Sequence, residues 1–377
     1  MILYHDEERL VAIMHVIGFI NESDQKRGIQ RIATELCKRT GADLVTFKRP
    51  LSFAPRIVRK ISLMTLSYNF SIPRELARTD ADIFHAFSPL EAYPLVKAKR
   101  RPIIINSYDL LNMNPHRQDL LFQTYSRFLR NYDDIAYRNA DRIVCVSETH
   151  RRDILSHLQV DPQRLRVIYP GVSQSFHPIE KRSAKARLGV SGRMIFMLPD
   201  SILDVSGVPS TLKAFLGLKG DSKFADVQLR IAGIRGPGKE HDELLAMIRE
   251  SGLSGRVTVL PFLTDDELNL NYNAADVFVH CDLSEEFNLP PLEAMACATP
   301  VINLGDDPAS MNQIYGDGAL FVEHGKAQTL KEALVRVLGD ADLQADLARK
   351  AVVKAGEFSW EVAAKKTLEL YNEVSAS

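Results

Sequence analysis

Short apolar runs of strand length alternate with segments of helical spacing along nearly the whole chain, and this alternation limits the fold more than any single motif does. The first run, residues 12–20, is followed by a polar loop and then by 28–37, whose apolar residues recur at helical spacing. Further strands are expected at 44–47, 82–87, 103–106, 142–146 and 166–168, with helices at 117–138 and 148–158 among them. A second series begins at 194–198. It continues with strands at 227–231, 256–260, 276–280, 300–302 and 319–322, and with helices such as 240–250 and 265–272. Alternating strand and helix units imply a largely parallel sheet covered on both faces, so two doubly wound α/β domains are expected. The chain of 377 residues is long enough for two cores. The series meet at a polar connection, 175–180, which sets the domains at 1–178 and 179–357. The closing segment 358–377 contains an amphipathic helix and is expected to pack back towards the first domain.

Composition narrows the classes. With 45% hydrophobic and 25% charged residues the chain is not a disordered one. No apolar run approaches the length of a membrane span, and the acidic N-terminus lacks a signal-peptide layout, so a cytoplasmic protein is expected. Cys37, Cys145, Cys281 and Cys297 are scattered and read as buried thiols. The ten histidines show no metal-binding spacing, and no metal or cofactor is implied. Residues 1–180 carry a net charge of +6 and the remainder −7. A basic front half suits a phosphorylated acceptor or an anionic membrane surface, with peripheral placement on its inner face. Lys97, Lys99, Arg100 and Arg101 are candidates for that contact. No nucleic-acid-binding signature occurs.

One stretch concentrates functional residue types. Residues 284–296 follow the apolar run 277–281 and open a helix in which Pro290 and Pro291 occupy the first turn, where their missing donors cost little. Asn288 is the expected N-cap. Glu285 then lies in the loop at the carboxyl end of a strand, with Glu293 one turn into the helix. Free N–H groups at a helix start suit a phosphate, and the two carboxylates suit sugar hydroxyls. A solvated loop acid and an ordinary early-helix acid account for the spacing equally well. No G-x-G-x-x-G follows the first strand, and no P-loop or nucleophile elbow is present.

Glu285-x7-Glu293, with Phe287, Leu289-Pro290-Pro291-Leu292 and Ala294-Met295-Ala296-Cys297 around it, resembles the E-x7-E segment of family 4 retaining glycosyltransferases of GT-B fold. Gly28-Ile29-Gln30-Arg31 resembles the start of the first helix in a mannosyltransferase-like branch of that family. Segments 140–148, 167–172 and 231–236 also fit it. The resemblance implies two Rossmann-like domains facing a cleft and transfer of a mannose- or glucose-like hexose from a nucleoside-diphosphate sugar, such as GDP-mannose or a UDP-sugar. The acceptor would be a polysaccharide or a lipid-linked glycan. It further implies that Glu285 binds the donor hexose and Glu293 the ribose. Amides around Phe287, Asn288 and Leu289 would hold sugar and phosphate, Phe262 would border the base, and Gly171 would belong to the linker strand. The departing diphosphate would take the acceptor proton.

The chain departs from the family pattern at several places. The arginine and lysine that neutralise the diphosphate are replaced near Asp200, Ser201 and Ser206, which leaves Arg235, Lys239 and Arg193 as candidate substitutes. Tyr108 replaces the histidine of the H-D-L segment, whose Asp109 and Leu110 remain. Pro170 replaces an asparagine, Glu286 and Asn288 replace two glycines, and Ala298 stands where glycine is usual. Two readings follow: an active hexosyltransferase, and a catalytically impaired GT-B protein that serves as a binding or scaffold partner.

Overall fold

The structure, a computed structural model, describes residues 14–22, 27–48, 66–108, 110, 120–199, 207–234, 238–281, 287–305, 308–323 and 325–376. The chain divides into two compact units, residues 1–171 with 360–377, and residues 172–359. The expected boundary after 178 thus moves to Gly171. The Val172 N–H donates to the Phe358 carbonyl at 3.0 Å and Val172 bridges Ser359, which ties the entry of the second unit to its exit.

The first unit runs β1 (Val16–Glu22), α1 (Arg27–Thr40), β2 (Asp43–Lys48), α2 (Ile72–Leu76), β3 (Ile83–Ala86), α3 (Pro89–Lys97), β4 (Ile103–Ser107), α4 (Leu120–Asn139), β5 (Arg142–Cys145), α5 (Glu148–His157) and β6 (Leu165–Val167). Its six strands are parallel in the order β2-β1-β3-β4-β5-β6, so the winding reverses between β1 and β3. Every residue of β3 and β4 is buried, as expected for strands covered on both faces. Gly18 in β1 is required by close approach: a Cβ there would sit 2.7 Å from Cys37 Sγ and 2.9 Å from the Phe87 ring.

The second unit runs α6 (Lys181–Leu188), β7 (Met194–Met197), α7 (Val208–Leu216), β8 (Gln228–Ile231), α8 (Lys239–Glu250), β9 (Val257–Val259), α9 (Asp265–Ala274), β10 (Val277–His280), α10 (Leu289–Ala296), β11 (Val301–Gly305), α11 (Pro308–Tyr315), β12 (Ala319–Glu323), α12 (Ala327–Gly339) and α13 (Ala341–Ala355). Its parallel sheet has the order β12-β11-β10-β7-β8-β9 and reverses between β7 and β10. One face carries Ile195, Met197, Val277, Val279, Ile302 and Leu229 into an apolar core with α7, α8 and α12. The last helix, α14 (Trp360–Ser375), belongs to the first unit, where it packs on α1. Glu373 on α14 pairs with Arg142 at 2.9 Å and with Arg166, and Trp360 is buried.

Both sheets are pinned at their amino edges by one device. An Ala-Asp dipeptide stands just before a strand, and its carboxylate accepts the N–H that opens the neighbouring strand. The Asp82 carboxylate takes the His15 N–H at 2.8 Å and Asp141 that of Ile103 at 2.7 Å. In the second unit Asp226 takes the Arg193 N–H at 3.2 Å and Asp276 that of Met194 at 2.7 Å. Each bond satisfies a backbone donor that the ladder leaves over. Helix α3 was not legible in the sequence because Pro94 lies inside it. It forms because Pro89 fills the first turn and the Ser88 hydroxyl caps the Glu91 N–H.

Candidate active site

In open parallel sheets, ligands bind beyond the carboxyl ends of strands where the winding reverses. In the second unit that point lies between β7 and β10. Glu285 and Glu286, in the loop after β10, lie outside the described residues, as do Arg235, Asp200, Ser201 and Ser206. A Cβ on Gly207, whose φ is +66°, would meet Cys281 Cβ at 2.7 Å, so the start of α7 returns directly against the end of β10.

Phe287, Asn288 and Leu289 are buried at the start of α10, with Phe287 edge-on to Phe358 at 5.7 Å. Asn288 has N-cap backbone geometry, but its side chain makes no cap bond. Tyr315 Oη instead lies 3.3 Å from both the Asn288 N–H and its carbonyl. The expected side-chain cap is therefore replaced by a tyrosine one helix further on, and the Asn288 amide is engaged by protein.

Glu293 is only 3% exposed, and its Oε2 accepts from Tyr272 Oη at 3.1 Å. Tyr272 is itself fixed by edge contacts to Phe196, Phe278 and Phe176. Glu293 is thus a held, buried carboxylate and not a solvated early-helix acid. Burial first, and then the charge of Glu293, push the Cys297 thiol above its ordinary range. His280 closes β10 in register with Asn303 on β11. The fully buried Asn303 amide finds no partner among the described residues.

Of the candidate cations, Lys239 opens α8, lies exposed, and sits 3.7 Å from Glu243. Arg193 is corrected. It precedes β7 and therefore lies at the amino edge of the sheet, bound to Asp226, to the Leu338 carbonyl at 3.0 Å and over the Phe224 ring. Phe262, after β9, is 41% exposed.

In the first unit Tyr108 follows β4 and is half-buried, while Asp109 lies outside the described residues. Tyr108 Oη accepts from Asn106 Nδ2 at 3.0 Å, and burial raises its phenol pKa. Asn106 Oδ1 lies 2.8 Å from His85 Nε2, and His85 Nδ1 lies 2.7 Å from Tyr371 Oη. Burial lowers the His85 pKa to about 4. Beside this chain Ser107 Oγ meets Tyr137 Oη at 2.5 Å and His150 Nε2 at 2.7 Å. Gly171 is buried at the end of the unit. Sequence reasoning missed Tyr272, Tyr315, His85 and Tyr371. Residues alone offered one signal, a polar Asn106 within an otherwise apolar run.

Two family models match the chain: Glycosyl transferases group 1 over residues 181–353 and Glycosyltransferase Family 4 over residues 27–176. With the fold, these matches make both units similar to glycosyltransferases, and the two six-stranded parallel sheets give the chain the GT-B architecture. Among curated proteins it is similar to the D-inositol 3-phosphate glycosyltransferase of Kineococcus radiotolerans, 30% identical over 248 residues that cover 62% of this chain and 57% of the relative. The protein of that name from Mycolicibacterium vanbaalenii is 33% identical over 238 residues, 59% of this chain and 50% of the relative. The match thus spans little more than half the length of these relatives.

Solved structures share the fold. Sucrose-phosphate synthase from Thermosynechococcus elongatus gives a TM-score of 0.80 at 19% identity, covering 96% of this chain and 99% of that one. Anabaena HepE in complex with UDP and glucose gives 0.75 at 18%, covering 95% and 99%. WaaG, a glycosyltransferase involved in lipopolysaccharide biosynthesis, gives 0.74 at 14%, covering 94% and 99%. Among the described residues no helix is long and apolar enough to cross a membrane.

Proposed function

We propose that this chain is a retaining, metal-independent hexosyltransferase that moves a mannose- or glucose-like sugar from a nucleoside diphosphate to a polysaccharide or lipid-linked glycan. The observation that carries the reading is Glu293: a buried carboxylate, held by Tyr272, one turn into the helix that starts at the strand reversal. A carboxylate so fixed is preorganised to accept two ribose hydroxyls without reorienting. Glu285 binds the hexose on the preceding loop, and the departing diphosphate takes the acceptor proton. Positioning and electrostatics supply the rate. Lys239, at the start of α8, and Arg235, which follows β8 in sequence, are the cations assigned to the diphosphate. The peripheral membrane position expected from the basic first half belongs to the same proposal, as does the branch preference for mannose. The names of the curated relatives make an inositol phosphate the competing acceptor.

The test is thermal unfolding with UDP-glucose, GDP-mannose and ADP-glucose, followed by transfer assays on glycan and inositol phosphate acceptors. A donor at about one hundred times its Kd adds about 2.7 kcal/mol of stability, a shift of several degrees. If none of the three raises the melting temperature at millimolar concentration, the binding-partner reading replaces this one. The engaged Asn288 amide and the immobilised Arg193 are the observations on its side.

A further inference from the structure

The tetrad Tyr371, His85, Asn106 and Tyr108 joins the last helix of the chain to the carboxyl end of β4, through three hydrogen bonds of 2.7, 2.8 and 3.0 Å. Tyr371, His85 and Asn106 are at most 2% exposed, so water does not exchange partners with them. The His85 ring cannot turn freely: Phe87 stacks on it at 4.6 Å and Tyr371 meets it edge-on at 5.7 Å. Cys37 on α1 and Glu91 on α3 are the titratable groups that act on the two phenols.

A neutral imidazole has one N–H, and burial keeps this ring neutral at physiological pH. A chain of such groups can run in only two directions. With Asn106 Oδ1 facing the ring, Nε2 must donate and Nδ1 must accept. Tyr371 therefore spends its proton on His85. Asn106 Nδ2 donates to Tyr108 Oη, which leaves the Tyr108 hydroxyl hydrogen uncommitted among the described residues.

We infer that His85 and Tyr371 are positioning residues that act through Asn106 to make the Tyr108 hydroxyl a fixed donor, so that the group taken up beside β4 presents an oxygen acceptor. That a ligand is taken up there, and whether its oxygen belongs to a nucleotide sugar or its acceptor, rests on the transferase reading. A histidine at the Tyr108 position could donate or accept by changing tautomer, whereas here Asn106 already donates to the phenol oxygen and the hydroxyl hydrogen is what remains to be given. Tyr108 is thereby a selector of ligand oxygens and not a base, consistent with its raised phenol pKa.

Long-range proton–nitrogen NMR correlations on the labelled full chain test the polarity without any ligand. At pH 7 His85 is expected as the Nε2–H tautomer with a bare Nδ1. A Nδ1–H tautomer, or a ring that titrates near neutrality, overturns the inference. In Tyr371→Phe the ring is expected to become a tautomer mixture; a lowered melting temperature with an unchanged tautomer would reduce Tyr371 to packing. Asn106→Asp should raise the ring pKa from about 4 by on the order of one to three units, because a carboxylate favours imidazolium. An unmoved pKa there also overturns the relay. With whichever nucleotide sugar binds, Tyr108→Phe should weaken Kd on the order of fivefold, and Tyr108→Phe with Tyr371→Phe no further; additive losses would break the coupling. A wild type that binds none of the three nucleotide sugars defeats the transferase reading, and the tautomer then decides this one alone.

Discussion

The two units solve the same architectural problem alike at their amino edges and differently at their carboxyl edges. Both anchor neighbouring strands with Ala-Asp carboxylates. At the other edge the first unit carries a polar chain whose members satisfy one another from Tyr371 to Tyr108. The second carries a helix start with one held carboxylate and, among the described residues, a buried Asn303 amide without a partner. The scaffold is shared, and the two units differ in what stands at its carboxyl edge.

The sharpest break in the comparison is Glu285→Ala. Transfer should fall about a hundredfold or more while circular dichroism and melting temperature stay at wild-type values; undiminished turnover would remove Glu285 from the site. Glu293→Gln is expected to weaken nucleotide-sugar binding about tenfold by calorimetry, since a charged acceptor is lost. Stability distinguishes the pins next. Asp276 is buried and takes Lys185 at 2.7 Å and Lys181 at 3.4 Å besides the Met194 N–H, so Asp276→Ala should cost about 3 kcal/mol in urea unfolding. The exposed Asp82→Ala should cost about 1 kcal/mol, and equal losses would show that burial does not set their worth.

Ala298 holds a left-handed φ of 58°, where a side chain is strained. Ala298→Gly should therefore stabilise the second unit by about 0.5–1 kcal/mol, read as a rise in melting temperature. The smallest effect belongs to Asp226, whose carboxyl Arg193 depresses to about 2. Its contribution is present above the ordinary carboxylate range and is lost as pH falls through that value. Asp226→Asn should flatten the acid limb of the stability curve by less than about 1 kcal/mol, since about half of the Asp226 side chain is open to solvent.

The sheets were legible because strands covered on both faces are written as short apolar runs, as at 103–105 and 277–279. The helix opening with Leu289-Pro290-Pro291 was legible from proline placement, and Glu293 from its offset. What held these residues was not. Tyr272 lies 21 residues from Glu293 and Tyr371 lies 286 from His85, and such separations become contacts only through packing. The Asn288 cap failed as an expectation because propensity describes an isolated helix end, and the Tyr315 hydroxyl outcompetes it here. Arg193 failed because formal charge says nothing of which edge of a sheet a residue occupies.

The placement of α14 has a consequence for how the chain is made. The second unit is continuous in sequence, whereas the first is interrupted by all of it and ends with Trp360–Ser375. On a ribosome the earlier part emerges first but cannot close its fold until Trp360–Ser375 has followed, so the unit begun second can finish first. Until then the α1 surface and the His85 ring stand without their cover. A chain stopped before Trp360 would keep a complete second unit beside an open first one, a state that a chaperone or a protease can recognise.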